Sequence, residues 1–243
     1  MGPMLFSVLF YFFMLVTSIL CFPVAVLLRA ATGPFDRRLT LLHRFTSWWA
    51  FLYTACNPLW RVQFTGEPPS GGPYVIVANH QSMIDILLLF RLRMHYKWVS
   101  KSENFLIPFI GWNMSLNRYI AIRRGTVKGN LRMMRECEAA LREGNSLMIF
   151  PEGTRSPDGV VRRFKEGAFE LANRTGAPVL PLVIEGTAEA LPKHGVVLRG
   201  RRTFRVRILE PVPARTDGDA GALARAVEAT VRRELDSLRG VGT

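Results

Sequence analysis

The chain has 243 residues, enough for one globular domain with some length left for an appendage. Nearly half of it is apolar (49%) and 21% is charged, which excludes a disordered chain. A net charge of +13 suits a polyanionic partner such as nucleic acid, anionic lipid or a phosphorylated substrate. A positive mean hydropathy (+0.13) in so basic a chain points to apolar residues concentrated in a few segments.

The first such segment is Met4 to Leu28, which contains no charge and is long enough to cross a bilayer. No basic residue precedes it, which favours an uncleaved anchor over a signal peptide. Gly33, Pro34 and three arginines (Arg29, Arg37, Arg38) then break the run. A second apolar stretch, Leu39 to Pro58, carries Leu41, Phe45, Trp48, Leu52 and Cys56 at helical spacing. Trp48, Trp49 and Tyr53 suit the headgroup level of a bilayer. The pair reads as a helical hairpin, residues 1–60, anchoring the chain on one leaflet; a soluble helix packed on the remaining domain is the other reading of the second segment.

From about residue 70 the pattern changes. Strands are predicted over Tyr74–Ala78, Tyr96–Ser100, Tyr119–Ile122, Ser146–Phe150, Val179–Ile184 and Thr203–Leu209. Helices are predicted over Met83–Phe90, Gly129–Glu143, Lys165–Arg174 and Ala220–Leu238. Continuous apolar strands alternating with helices imply an α/β domain, residues 61–243, with a mainly parallel twisted sheet flanked by helices. Active sites in such sheets lie beyond the C-terminal ends of the strands. The three cysteines, Cys21, Cys56 and Cys137, have no metal-ligand spacing and read as reduced thiols, so no metal site is expected.

Two heptads sit at strand ends. Asn79-His80-Gln81-Ser82-Met83-Ile84-Asp85 follows the strand YVIVA. Ser82 is placed to cap the next helix, which brings Asp85 into its first turn and back toward His80. A carboxylate on Nδ1–H fixes the imidazole tautomer and leaves Nε2 to take a proton from a hydroxyl. No serine or cysteine with nucleophile-elbow sequence lies nearby, so direct transfer is favoured over an acyl-enzyme. Phe150-Pro151-Glu152-Gly153-Thr154-Arg155-Ser156 follows the strand SLMIF. There Gly153 permits a turn, Thr154 adds a hydroxyl donor, and Arg155 is suited to bidentate contact with phosphate. Taken alone, His80 also reads as a loop histidine with a satisfied hydrogen bond, and the second heptad as an ordinary polar turn with Glu152–Arg155 a surface ion pair.

Together the two heptads resemble the motifs of the glycerolipid acyltransferases. Asn79, His80 and Asp85 match Asn-His-x4-Asp, and residues 150–156 match Phe-Pro-Glu-Gly-Thr-Arg-Ser in full. Phe164, Lys165 and Gly167 match a following Phe-Lys-x-Gly, and Pro178–Val183 resembles the family's proline-containing strand. A further family motif, Gly-β-run-Asp-Arg, departs here: Arg118 stands at the glycine position and Arg123 at the aspartate, with Arg124 at the arginine.

The resemblance implies a 1-acyl-sn-glycerol-3-phosphate O-acyltransferase of bacterial type in phospholipid biosynthesis. His80 would be general base and Asp85 its orienting partner. Glu152, Gly153, Thr154, Arg155 and Arg124 would hold the acceptor phosphate, with Lys101 either a further ligand or a solvated lysine. The donor would be acyl-CoA or acyl carrier protein, with no other cofactor and no nucleic acid partner. The enzyme would sit on the cytoplasmic face of the inner membrane. The altered motif keeps another lysolipid, such as lyso-ornithine lipid, open as acceptor. The arginines Arg199, Arg201, Arg202, Arg205 and Arg207 read as a hairpin face on the membrane side.

Overall fold

The computed structural model describes residues 2–123, 127–215 and 218–240. Two helices, α1 (Pro3–Thr32) and α2 (Thr40–Ala55), lead into β1 (Trp60–Thr65) and β2 (Val75–Ala78). Then come α3 (Ile84–Leu89), β3 (Tyr96–Lys101), a 3-10 turn (Ser102–Leu106), α4 (Ile110–Leu116) and β4 (Ile120–Ile122). The remainder is α5 (Val127–Arg142), β5 (Ser146–Ile149), α6 (Gly167–Thr175), β6 (Val179–Glu185), α7 (Thr187–Ala190), β7 (Arg202–Ile208) and α8 (Ala220–Gly240). The seven strands form one sheet in the order β1-β7-β6-β2-β5-β3-β4. Among the strand pairs described, β6 with β7 is the antiparallel one, so β1 and β7 run against the other five strands.

The mainly parallel sheet expected from the sequence is therefore present. β2, with burial on both faces at every position, is the kind of strand that the continuous apolar run foretold. β1 was not foreseen. Its sequence WRVQFT alternates with polar Arg61 and Gln63, and it pairs only with β7, some 140 residues along the chain. An edge strand whose partner is so remote leaves little local signal.

Helices cover both faces. On one side, α1, α2 and α3 bring Phe6, Phe10, Trp49, Tyr53, Ile84 and Leu88 onto Ile76, Met148, Leu180, Leu182, Phe204 and Val206. On the other, α5, α6 and α8 bring Cys137, Leu141, Phe169, Leu171, Val227 and Val231 onto Val75, Val77, Leu147, Val179 and Val183. The boundary expected at residue 60 falls on the first residue of β1, and the first core runs across it. Ser7 Oγ accepts from the Leu198 amide (2.8 Å) and Tyr11 Oη donates to the Val196 carbonyl (2.8 Å), so polar contacts also dock α1 onto the domain.

α1 is long and apolar enough to cross a membrane. Most of its apolar residues remain exposed, among them Leu5, Phe12, Leu20 and Leu27. The stripe read from the second segment turns outward: Leu41, Trp48 and Cys56 are exposed, while Leu42, Thr46, Trp49 and Tyr53 form the buried face. α2 thus combines both sequence readings, packed on the domain by one face and apolar to solvent on the other. α4 and the 3-10 turn extend this surface with exposed Leu106, Ile107, Ile110 and Trp112, and Phe22 of α1 packs on Phe109 and Trp112.

The arginines of β7 lie elsewhere. Arg205 and Arg207 project from the face opposite Phe204 and Val206, and they pair with Glu185 (3.0 Å) and with Glu234 of α8 (2.7 Å). The period-2 alternation of a strand puts them on the α8 side, away from the layer that holds α1, and not on the face expected from the sequence.

Phe204 is fully buried where α1, β1 and the sheet meet, with its ring 5.3 Å from that of Trp60. Phe204→Ala should cost about 3–5 kcal/mol of stability, read as a lowered midpoint in denaturant titrations of the detergent-solubilised protein.

Candidate active site

The C-terminal ends of β2, β5 and β3 open on one edge of the sheet. β2 is extended past Ala78 by the side chain of Asn79, whose Oδ1 accepts from the Ile184 amide and whose Nδ2 donates to the Ile184 carbonyl, both at 2.8 Å. This amide pairing continues the β2–β6 ladder by one residue and fixes where the chain turns. His80 comes next.

His80 Nδ1 lies 2.8 Å from Asp85 Oδ2. The same oxygen accepts the amides of Gln81 (2.6 Å) and Ser82 (2.8 Å). Oδ1 accepts the hydroxyl of Thr187 at 2.5 Å. Asp85 is fully buried, so four donors on one carboxylate supply what solvent would have given. The capping relation expected from the sequence is reversed. Asp85 gathers the amides of the turn, whereas the hydroxyl of Ser82 donates to the Leu191 carbonyl (2.8 Å) and only weakly meets the Ile84 amide (3.3 Å).

The His80 ring stacks on Phe150 with centroids 3.8 Å apart and planes 8° from parallel. Phe150 in turn contacts Trp98 of β3 (5.6 Å). With 12% of its side chain accessible, His80 is shielded but reachable, and its Nε2 has no hydrogen bond among the described residues. The Nδ1–H tautomer that Asp85 selects makes Nε2 a proton acceptor.

The Phe150–Ser156 turn is fastened directly to this loop. The Ser156 amide donates to the His80 carbonyl (2.7 Å). Glu152 Oε1 accepts the His80 amide (2.7 Å) and Oε2 accepts the Arg162 amide (3.0 Å). The sequence groups Glu152 with the phosphate ligands. In the structure it is a buried brace whose two oxygens already hold main-chain amides. Burial pushes its carboxyl up to about 7, with the nearby Asp85 adding to the rise and the two amides opposing it. Gly153 adopts φ 70°, as a turn glycine does, and its amide donates to the Phe150 carbonyl (3.0 Å), closing the turn.

Thr154 and Arg155 are half-buried, and Arg155 has no carboxylate within 4.0 Å among the described residues. Lys101 is exposed at the end of β3, on the same edge. Arg124 lies outside the described residues. Arg118, at the position where the resemblance has glycine, takes φ 52°, a left-handed conformation that favours glycine. β4 ends at Ile122, and Arg123 follows it exposed, beyond the strand.

The sequence reading missed Thr187. It lies 102 residues from Asp85, and no short motif announces it. Gly186 places it: at φ 90°, a Cβ there would stand 2.6 Å from the Thr203 carbonyl oxygen, so only glycine lets β6 turn into α7 this tightly.

The acyltransferase family model matches residues 61–185. The chain belongs to this family. A 1-acyl-sn-glycerol-3-phosphate acyltransferase of Chlamydomonas reinhardtii is 34% identical over 235 residues, covering 94% of this chain and 70% of that protein. A lyso-ornithine lipid O-acyltransferase of Pseudomonas aeruginosa is 33% identical over 210 residues, 80% of each chain. Of two chloroplast relatives the chain spans about half the length, 52% and 55%. The crystal structure of the 1-acyl-sn-glycerophosphate acyltransferase of Thermotoga maritima superposes with a TM-score of 0.80 at 26% identity, over 98% of this chain and 96% of that one.

Thr187→Val keeps shape but removes the donor to Asp85. It should lower kcat by about 10–100-fold with little change in KM, and Thr187→Ser should restore most of the loss in the same steady-state assay. For Glu152, the raised folded-state value sets the sign. The protonated form is favoured by folding, so its stabilisation is full below about 4.5 and is lost as pH rises through about 7. The Tm of wild type should therefore fall over that interval by more than the Tm of Glu152→Gln, measured in parallel.

Proposed function

We propose that this chain transfers a fatty acyl group from a thioester to the sn-2 hydroxyl of 1-acyl-sn-glycerol-3-phosphate, giving phosphatidic acid. The observation that carries the reading is the 2.8 Å His80–Asp85 pair, held at the end of β2 and tied to the Phe150–Ser156 turn. His80 Nε2 takes the proton of the acceptor hydroxyl as its oxygen attacks the thioester carbonyl. The tetrahedral intermediate then collapses, the C–S bond breaks, and His80 returns the proton to the leaving thiolate. Asp85 holds the tautomer and offsets the imidazolium charge that forms in between. Arg155 is the main cation for the acceptor phosphate, joined by Lys101 and Arg124, while Thr154 donates a hydroxyl.

The exposed apolar face of α1, α2 and α4 is the surface for the bilayer, from which the lysolipid enters; the side it occupies in a bacterial cell is the cytoplasmic face of the inner membrane. The donor is acyl-CoA or acyl carrier protein. The Pseudomonas relative supports a second reading, in which the acceptor is a lyso-ornithine lipid without phosphate.

His80→Ala should abolish transfer and Asp85→Asn should reduce it by roughly 10³–10⁴-fold. Arg155→Ala should raise KM for lysophosphatidic acid far more than for the donor. Near-normal turnover by His80→Ala would sink the mechanism. An unchanged acceptor KM in Arg155→Ala, with faster acylation of lyso-ornithine lipid than of lysophosphatidic acid by wild type, would move the substrate to the second reading.

A further inference from the structure

A second cationic region opens on the same edge of the sheet as His80, on the other side of it. A cleft of about 610 Å³ lies between the end of β6, the start of β7 and the end of α8, a size that suits a nucleotide. Because β7 runs antiparallel to β6, its first residues stand beside the last of β6, and Glu185 is in register with Arg205. Arg201, Arg202 and Arg205 line one wall, and Arg239 of α8 lines another.

These arginines are not equivalent. Arg205 is paired with Glu185 at 3.0 Å and Arg202 with Glu189 at 3.5 Å. Arg201 and Arg239 have no carboxylate within 4.0 Å among the described residues; Arg239 Nη2 donates to the Gly159 carbonyl (2.7 Å), and Arg201 is exposed. Asp158, also at the cleft, has its carboxylate occupied by the Ser156 hydroxyl (2.7 Å) and the Val160 amide (3.1 Å). The lining thus carries four guanidinium groups against three carboxylates, and Arg201 and Arg239 are the two guanidinium groups outside an ion pair.

The wall nearest the dyad is Gln81, the residue after His80, whose Nε2 donates to the Gly159 carbonyl at 3.3 Å. Along the sheet the order is therefore the arginine-lined cleft at β7 and β6, His80 at β2, then Arg155 after β5 and Lys101 at the end of β3. Two cationic regions flank one imidazole. Direct transfer needs two substrates present together, and a thioester donor of the coenzyme A type carries its own phosphates at the far end of a long pantetheine arm.

We propose that this cleft binds the 3′-phosphoadenosine diphosphate end of an acyl-CoA donor, with Arg201 and Arg239 on its phosphates and the arm running past Gln81 to His80. The inference rests on the acyl-transfer reading and adds the donor's binding site and its chemical class.

The test uses adenosine 3′,5′-bisphosphate as the probe, titrated calorimetrically into the full-length, detergent-solubilised protein at low salt. Saturable binding is expected in wild type, weakened about tenfold or more in Arg201→Glu and in Arg239→Ala. In parallel, the ratio of kcat/KM for acyl-CoA to that for the same acyl group on pantetheine should fall by a like factor in Arg201→Glu. Arg201 is exposed, so this variant folds even where Arg239→Ala loosens the Gly159 loop. The proposal is overturned if wild type does not bind the probe, if both variants bind it as wild type does, or if the two donors decline together. A protein that transfers no acyl group fails the function proposed above, while the titration still decides the cleft.

Discussion

A carboxylate cut off from solvent has to be met by donors, and Asp85 is met by four. Two are amides of the turn that leads into α3, one is the imidazole of His80, and one is the hydroxyl of Thr187. Removing the carboxylate would leave buried amides without acceptors as well as an imidazole without a partner, so the group that orients His80 also closes the loop that carries it. Glu152 repeats the arrangement one strand away. Its two oxygens hold the amides of His80 and Arg162, so the two loops are fixed to each other through main-chain donors. The position of the imidazole is therefore set by the fold, before any substrate arrives.

The sheet and the dyad were legible in the sequence because their signals are local. Apolar runs such as YVIVA and SLMIF end at residues that stop a strand, and the two heptads follow immediately. The features that escaped are those whose partners are remote. β1 is defined by pairing with β7, and Thr187 by a hydroxyl reaching a carboxylate 102 residues earlier. The task of Glu152 escaped for a different reason. A family motif shows that a carboxylate stands in the turn, but only the burial and the two amides show that it braces loops. Arg118 is the converse case: a residue that breaks the family pattern nonetheless keeps the left-handed backbone that glycine would favour there.

Charge and apolarity are segregated by the sheet. One layer carries the exposed apolar residues of α1, α2 and α4, while the arginines of β7 that were expected beside a membrane face α8 and pair with Glu185 and Glu234. A strand cannot present adjacent residues to one face, so Phe204 and Val206 in the first layer oblige Arg205 and Arg207 to the second. A surface suited to lipid tails on one side and cationic strand ends along the edge is the combination that an amphiphilic, phosphate-bearing substrate requires.

The hydroxyls beside the dyad also bear on the order of bond making. Ser82 and Thr187 are the hydroxyl-bearing residues hydrogen-bonded to Asp85, and both hydroxyls are committed, Ser82 to the Leu191 carbonyl and Thr187 to Asp85. Both are fully buried, and neither is hydrogen-bonded to His80, whose Nε2 is the position from which a nucleophile would be activated. An acyl-enzyme on either oxygen would need it released from its present bond and turned toward the imidazole. Activation of an incoming hydroxyl needs no such rearrangement, because the stacking of His80 on Phe150 leaves the imidazole shielded on one face but partly accessible at the mouth of the sheet. The geometry thus favours a single displacement in which the acceptor oxygen itself attacks the thioester.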